Sequence, residues 1–151
     1  MSTDVGIEIV GLEALEAKLS ALSEAVRGAK IEAALKSGAL LIEGPAKKKA
    51  PKLTGNLARS IHTETSSSDT TAEARIGTNV IYAAIQEFGG TIKAKTGPFL
   101  WFKNEKGKLI CVRSVDIPAQ PYLRPAFDEN KNAAVREIGD ALRVLIEEAA
   151  S

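Results

Sequence analysis

The chain of 151 residues is poor in the residue types that most chemistry needs. It has one cysteine, Cys111, and one histidine, His62. A lone cysteine can form no internal disulfide, which fits a reducing compartment. One His and one Cys cannot supply the four ligands of a zinc site built from them, so no metal is expected. A Cys111–His62 nucleophilic pair would need the fold to bring the two together. Cys111 sits in the apolar run Leu109-Ile110-Cys111-Val112, where a buried, inert thiol is the expectation. No phosphate loop, G-x-G-x-x-G or G-x-S-x-G pattern occurs, so no cofactor and no catalytic residue is assigned. Carboxylate pairs such as Glu147-Glu148 fall on the polar side of a helix pattern, where solvation accounts for them. No apolar run reaches the roughly 18 residues of a membrane span. Met1-Ser2-Thr3-Asp4 has no basic n-region, so no secretion signal is expected. Aromatics are also scarce, at 5%.

Charge is balanced overall, with 20 Lys+Arg against 19 Asp+Glu. It is uneven along the chain: 1–26 is acidic, 27–62 basic, 63–90 acidic, 91–113 basic and the remainder acidic. Near-neutrality argues against a strongly basic nucleic-acid clamp. Alternating blocks can favour head-to-tail contact between copies, or simply keep the chain solvated.

Periodicity supplies the elements. Val5, Ile7 and Ile9 alternate as a short strand. Leu12, Leu15, Leu19, Leu22 and Val26 step by 3, 4, 3 and 4, as one stripe of an amphipathic helix stopped by Gly28. A second helix places Ile31, Ala34, Leu35, Gly38, Leu41 and Ile42 on one face. Pro45 lacks an N–H and would clash with the Leu41 carbonyl, so a kink or an end is expected there. Thr54 can cap a turn of helix over 55–61. Residues 65–71 read as a polar loop. Residues 72–78 alternate as a strand, and 81–88 as a helix with Ile81, Ile85 and Phe88 on one side, ended by Gly89-Gly90. Strands over 98–103 and 109–115 flank the turn material Asn104-Glu105-Lys106-Gly107. Val135, Ile138, Leu142, Leu145 and Ala149 mark a C-terminal helix beginning near Pro125. The order predicts an α+β domain over 1–151: a small antiparallel sheet packed against long helices, with a protruding β-hairpin.

Two basic segments carry binding candidates. Lys47, Lys48, Lys49 and Lys52 could meet a phosphate backbone. Residues 93–108 mix five lysines with Phe99, Trp101 and Phe102, and cations interleaved with aromatics can stack on single-stranded nucleic acid. With Leu100, however, the aromatics form one continuous apolar run, and the segment reads rather as a protein-contact arm.

Three stretches have unusually specific turn chemistry. In the first, Ala50 to Ile61, a loop enters a capped turn through Thr54 and Gly55, with Leu57 and Ile61 facing inward and Arg59 charged. In the second, Tyr82 to Thr91, Tyr82, Ile85 and Phe88 anchor a short helix that carries Glu87, and Gly89 stops it with a left-handed conformation. In the third, Pro118 to Phe127, Pro118 and Pro121 hold the chain extended before Tyr122, Leu123 and Arg124. Pro125 then fits the first turn of the last helix.

In this order the three stretches resemble a phage morphogenesis family. Its members lie in the head–tail joining gene block of long-tailed, siphovirus-like phages and prophages, and are described as minor tail, neck or tail-completion proteins. The patterns A-P-x-x-T-G-x-L-x-x-S-I, Y-A-x-x-x-E-F-G and P-A-x-P-[FY]-L-R-P-A match at 50–61, 82–89 and 118–126. Ala58 stands where a basic residue is common, leaving Arg59 as the charge.

The resemblance implies a non-enzymatic virion part, assembled in the host bacterial cytoplasm and carried at the head–tail junction or tail. It implies a homo-oligomeric ring around the DNA channel, touching connector or stopper, tail-terminator and tail-tube proteins. A tail-terminator or head-completion ring is the neighbouring alternative, and a DNA-binding module the further one. Residues 91–117 read as a hairpin insertion. Arg59, Glu87 and Arg124 are expected to anchor structure or subunit contacts through charged hydrogen bonds. Charge reversal at any of them is expected to disturb assembly more than folding.

Overall fold

In a computed structural model the described residues are 7–8, 28–52, 54–68 and 71–149. The elements in order are β1 (Ile7–Glu8), α1 (Ala29–Lys49), α2 (Asn56–Ser60), β2 (His62–Ser67), β3 (Ala72–Gly77) and α3 (Ala83–Phe88). They continue with β4 (Gly90–Lys93), β5 (Leu100–Lys103), β6 (Leu109–Val112), β7 (Ser114–Ile117) and α4 (Leu123–Ala149). The predicted α+β class holds. The expected helix over 12–26 lies outside the described residues.

α1 and α4 form the main helix–helix contact, and α1 also carries β2 and β3 on another side. Close approach is built from small residues. Ala34, Ala39 and Ala46 on α1 and Ala126 and Ala134 on α4 are all buried. A Cβ on Gly38 would stand 2.7 Å from the Ala134 carbonyl oxygen and would collide with Ile138. Leu35, Ile42, Ile61, Ile76 and Leu123 fill the space between the layers. Each such burial contributes about 1.5–3 kcal/mol.

The sheet has the order β1-β3-β2, antiparallel throughout. β3 turns Ala74 and Ile76 into the core, as its alternation predicted. β2 was not expected, because 65–71 is polar. Its threonines are β-branched, which suits a strand, and its inward face reaches the helix through hydroxyls instead of hydrocarbon. Thr63 donates to Glu43 at 2.6 Å, Thr65 to Glu32 at 3.4 Å and Ser67 to Glu32 at 2.5 Å. The strand thus takes in residues 65–67 of the expected loop.

Four further expectations are corrected. First, the end expected at Pro45 does not occur, because α1 runs through it to Lys49. Ile42 and Ala46 are wholly buried on either side of the proline. Leu41, whose carbonyl loses its partner, stands on the solvent side at 40% exposure, where water can replace that bond. The helix stops instead at Ala50, extended at φ −59°, ψ 139° ahead of Pro51, which disfavours helix in the residue before it. Second, Leu41 is not on the buried face; Ala39 and Ala46 are. Third, α3 buries Ala83 and Glu87, while Ile81, Tyr82 and Phe88 face solvent. Fourth, α4 buries Ala134 in place of Val135, which is 62% exposed.

Beyond α3 the chain leaves this body. β4 pairs with β7 and β5 with β6, each as a two-stranded antiparallel ribbon. The predicted hairpin is β5–β6, turning through Asn104, whose side-chain oxygen accepts the N–H groups of Lys106 and Lys108 at 3.1 and 2.9 Å. The β4–β7 pair beneath it was not anticipated.

Candidate functional site

The three sequence stretches form two local structures, of which the second joins distant parts of the chain. In the first, Thr54 accepts the Asn56 N–H on its hydroxyl at 3.4 Å. The residue next to the helix is Gly55, at φ 70°, ψ −3°, a left-handed conformation that glycine adopts without a Cβ clash. The Arg59 guanidinium folds back to the Asn56 side-chain oxygen at 2.7 Å and the Thr54 carbonyl at 3.3 Å. Leu57 and Ile61 are buried as predicted. Ser60 ties the turn to the body, donating to the Leu57 carbonyl at 2.8 Å and sharing a hydrogen bond with buried Thr78.

The second and third stretches interlock. Glu87 is 4% exposed, which for a carboxylate demands full hydrogen bonding. One of its oxygens accepts the backbone N–H of Tyr122 at 2.8 Å and of Leu123 at 2.9 Å, and the other accepts that of Arg124 at 2.9 Å. These are the free donors at the start of α4. The next residue, Pro125, has no N–H. Every orphan donor that a helix start presents is thus either satisfied or absent. The negative carboxylate also sits at the positive end of the helix dipole.

Two backbone details close the joint. The Gln120 N–H donates to the Gln86 carbonyl at 2.7 Å. Gly89 adopts φ 70°, ψ −179°: positive φ as expected, but with an extended ψ and not the left-handed helical one. A Cβ there would lie 2.8 Å from the Ala119 nitrogen and 3.0 Å from the Ile117 oxygen. Tyr122 is wholly buried beside the joint. Burial first, and the Glu87 charge second, push its hydroxyl up to about 12.

Sequence reasoning singled out Glu87 but left its partners open. The available signal was the absence of Ser, Thr, Asp or Asn in Gln120-Pro121-Tyr122, where a long helix would carry its own cap. A cap supplied from elsewhere in the chain was the remaining option. By this geometry Glu87 joins α3 to the start of α4 within one chain. Arg124, by contrast, is exposed.

The four candidate lysines divide, with Lys47, Lys48 and Lys49 on the last turn of α1 and Lys52 beyond it. Lys47 is tied to Glu43 at 2.5 Å and Lys49 to Glu129 at 2.9 Å. Lys48 is exposed, as is Lys52. Burial works to raise the Glu43 carboxyl, but the hydrogen bonds from Lys47 and Thr63 outweigh it and hold the group below the ordinary range. His62, on β2, contacts the Ser60 carbonyl at 2.7 Å and Glu64 at 2.9 Å, and both raise its pKa. It is a surface residue, as expected.

Cys111 is exposed on the ribbon, not buried as its apolar neighbours implied. Strand alternation explains this. The register pairs Trp101 with Cys111 and Lys103 with Leu109, so these four share one face of a two-stranded ribbon with no layer over it. Trp101 is 65% and Leu109 57% exposed, and Phe99 and Phe102 also stand out. The aromatic run thus belongs to an arm, not to the core.

A family model, that of bacteriophage HK97 gp10-like tail components, matches residues 13–89, half of the chain, and the chain belongs to that family. No curated protein and no solved structure matches it. Among the described residues, no helix is long and apolar enough to cross a membrane.

Proposed function

We propose that the protein is a structural part of the virion that forms a ring at the head–tail junction and joins tail to head around the DNA channel. The family supports a tail component. The observation that carries the finer reading is the β5–β6 ribbon. It exposes Trp101, Leu109 and Phe99 on a two-stranded element, which is marginal alone in water. Exposed apolar surface on a protruding arm is a contact surface. A ring needs heterologous contacts, one patch meeting a different patch on the next copy, and an arm displaced from the body suits that geometry.

On this reading the chain is one domain, with 91–117 an insertion carrying the contact. Lys48 and Lys52, the two of these lysines with no carboxylate partner among the described residues, are the candidates for sequence-independent contact with channel DNA. The test is the solution mass by light scattering over a concentration series. A closed oligomer of several copies supports the ring. A monomer at every concentration that binds duplex DNA in a salt-dependent way would move the assignment to a DNA-binding module.

A further inference from the structure

The arm carries unpaired positive charge together with its apolar face. Lys103 lies on the face of Trp101 and Cys111, Lys106 and Lys108 lie in the turn, and Arg113 follows β6. None of these four makes an ion pair among the described residues. The opposite pattern occurs on α4. Ala133, Glu137, Asp140, Val144 and Glu148 recur at steps of 4, 3, 4 and 4, which places them on one side of a helix. All five are exposed, and Val144 is 52% exposed. The three carboxylates have no cationic partner among the described residues.

We infer that the outward face of the β5–β6 ribbon docks on the Glu137–Asp140–Val144–Glu148 stripe of α4 in a second copy of this chain. The inference rests on the ring reading and names its two surfaces. Charge complementarity selects the occupant: unpaired cations flank apolar residues on one surface, and unpaired carboxylates flank a valine on the other. Length agrees too. From Glu137 to Glu148 the helix rises about 16 Å, and a four-residue strand spans about 13 Å. The ribbon has no extensive packing on α4 of its own chain, and the stripe is exposed, so it is open to a neighbour. The two patches differ, so the contact is head-to-tail and repeats from copy to copy.

The sole cysteine lies on the docking face, which gives a direct test. A tagged chain carrying Cys111→Ser and Val144→Cys is mixed with the native chain at high concentration and oxidised with copper phenanthroline. The expected product is the mixed disulfide between Cys111 of one copy and position 144 of the other, in excess over both symmetric dimers. Adding Glu137→Lys and Asp140→Lys to the tagged chain should lower its yield about tenfold, and pairing that chain with a Lys103→Glu, Lys108→Glu partner should restore it. A mixed disulfide no more abundant than the symmetric ones, or indifferent to these charges, overturns the contact. If light scattering then still shows a closed oligomer, the ring stands on other surfaces. If it shows a monomer throughout, ring and contact fall together.

Discussion

The body and the arm use hydrophobic residues in opposite ways. The body core is made chiefly of alanine, leucine and isoleucine, with Tyr122 as its one fully buried aromatic side chain. Its tightest crossing needs a glycine at 38. The arm displays Phe99, Trp101 and Phe102 to solvent. Small residues let two long helices and a sheet approach closely, and dispersion then acts over many short contacts. Large aromatics give more contact area per residue, and on a protruding ribbon that area is open to a partner. Residue size therefore separates the buried core of the body from the exposed face of the arm.

The strongest way to break that division is to attack the body at its polar joint. Glu87→Ala leaves the N–H groups of Tyr122, Leu123 and Arg124 without partners at a buried site. A loss of about 3 kcal/mol is expected in urea unfolding. Glu87→Gln keeps one acceptor oxygen and should lose less. If the two variants were equally stable to within a few tenths of a kcal/mol of the native chain, the joint would not hold α4.

Next comes the crossing of α1 and α4. Gly38→Val should cost about 2–3 kcal/mol through overpacking against Ile138, and Ile138→Ala in the same chain should return part of that. A double-mutant cycle measures the recovery.

The arm should behave in the reverse sense. Trp101→Ala should shift stability by no more than about 0.5 kcal/mol, as exposed positions generally do, yet reduce the oligomer seen by light scattering. Unfolding on the scale of the Gly38 variant would show that the aromatic belongs to the core after all.

The smallest effect is on pH. The Glu43 carboxyl titrates below its ordinary value of 4.5 in the folded chain. Its ionised form therefore favours folding above the unfolded pKa, and that stability is lost as pH falls through the lower folded value. Glu43→Gln should flatten the acid limb of the stability curve below about pH 5. An unchanged limb would show that the Thr63 and Lys47 contacts do not favour the carboxylate.

The sequence made the body's elements legible where hydrocarbon marks the buried face. β3, α4 and the turn around Leu57 were readable because Ala74, Ile76, Ile138, Leu142, Leu57 and Ile61 recur at strand or helix spacing. It failed where another force fixes the structure. β2 faces α1 with hydroxyls on carboxylates, so hydropathy reads a loop. Pro45 is overridden by Ile42 and Ala46 packing around it. Around α3, the bulky Ile81 and Phe88 suggest an apolar face by spacing, while the buried face is an alanine and a carboxylate. The candidate site followed the same rule. Thr54, Gly55, Gly89 and Pro125 announce their turns locally. The link from Glu87 to the start of α4 spans 35 residues, and spacing along the chain cannot show it. Cys111 misled because an apolar run looks the same whether a layer covers it or not.

The most direct test of the contrast is amide hydrogen exchange measured on one sample, dilute and then concentrated. The account predicts that the amides of Tyr122, Leu123 and Arg124 exchange only through global unfolding at both concentrations. Those of residues 100–112 should exchange fast when dilute and slow markedly on concentration. Arm amides as protected as the joint in the dilute chain, or unchanged on concentration while the joint frays, would contradict it.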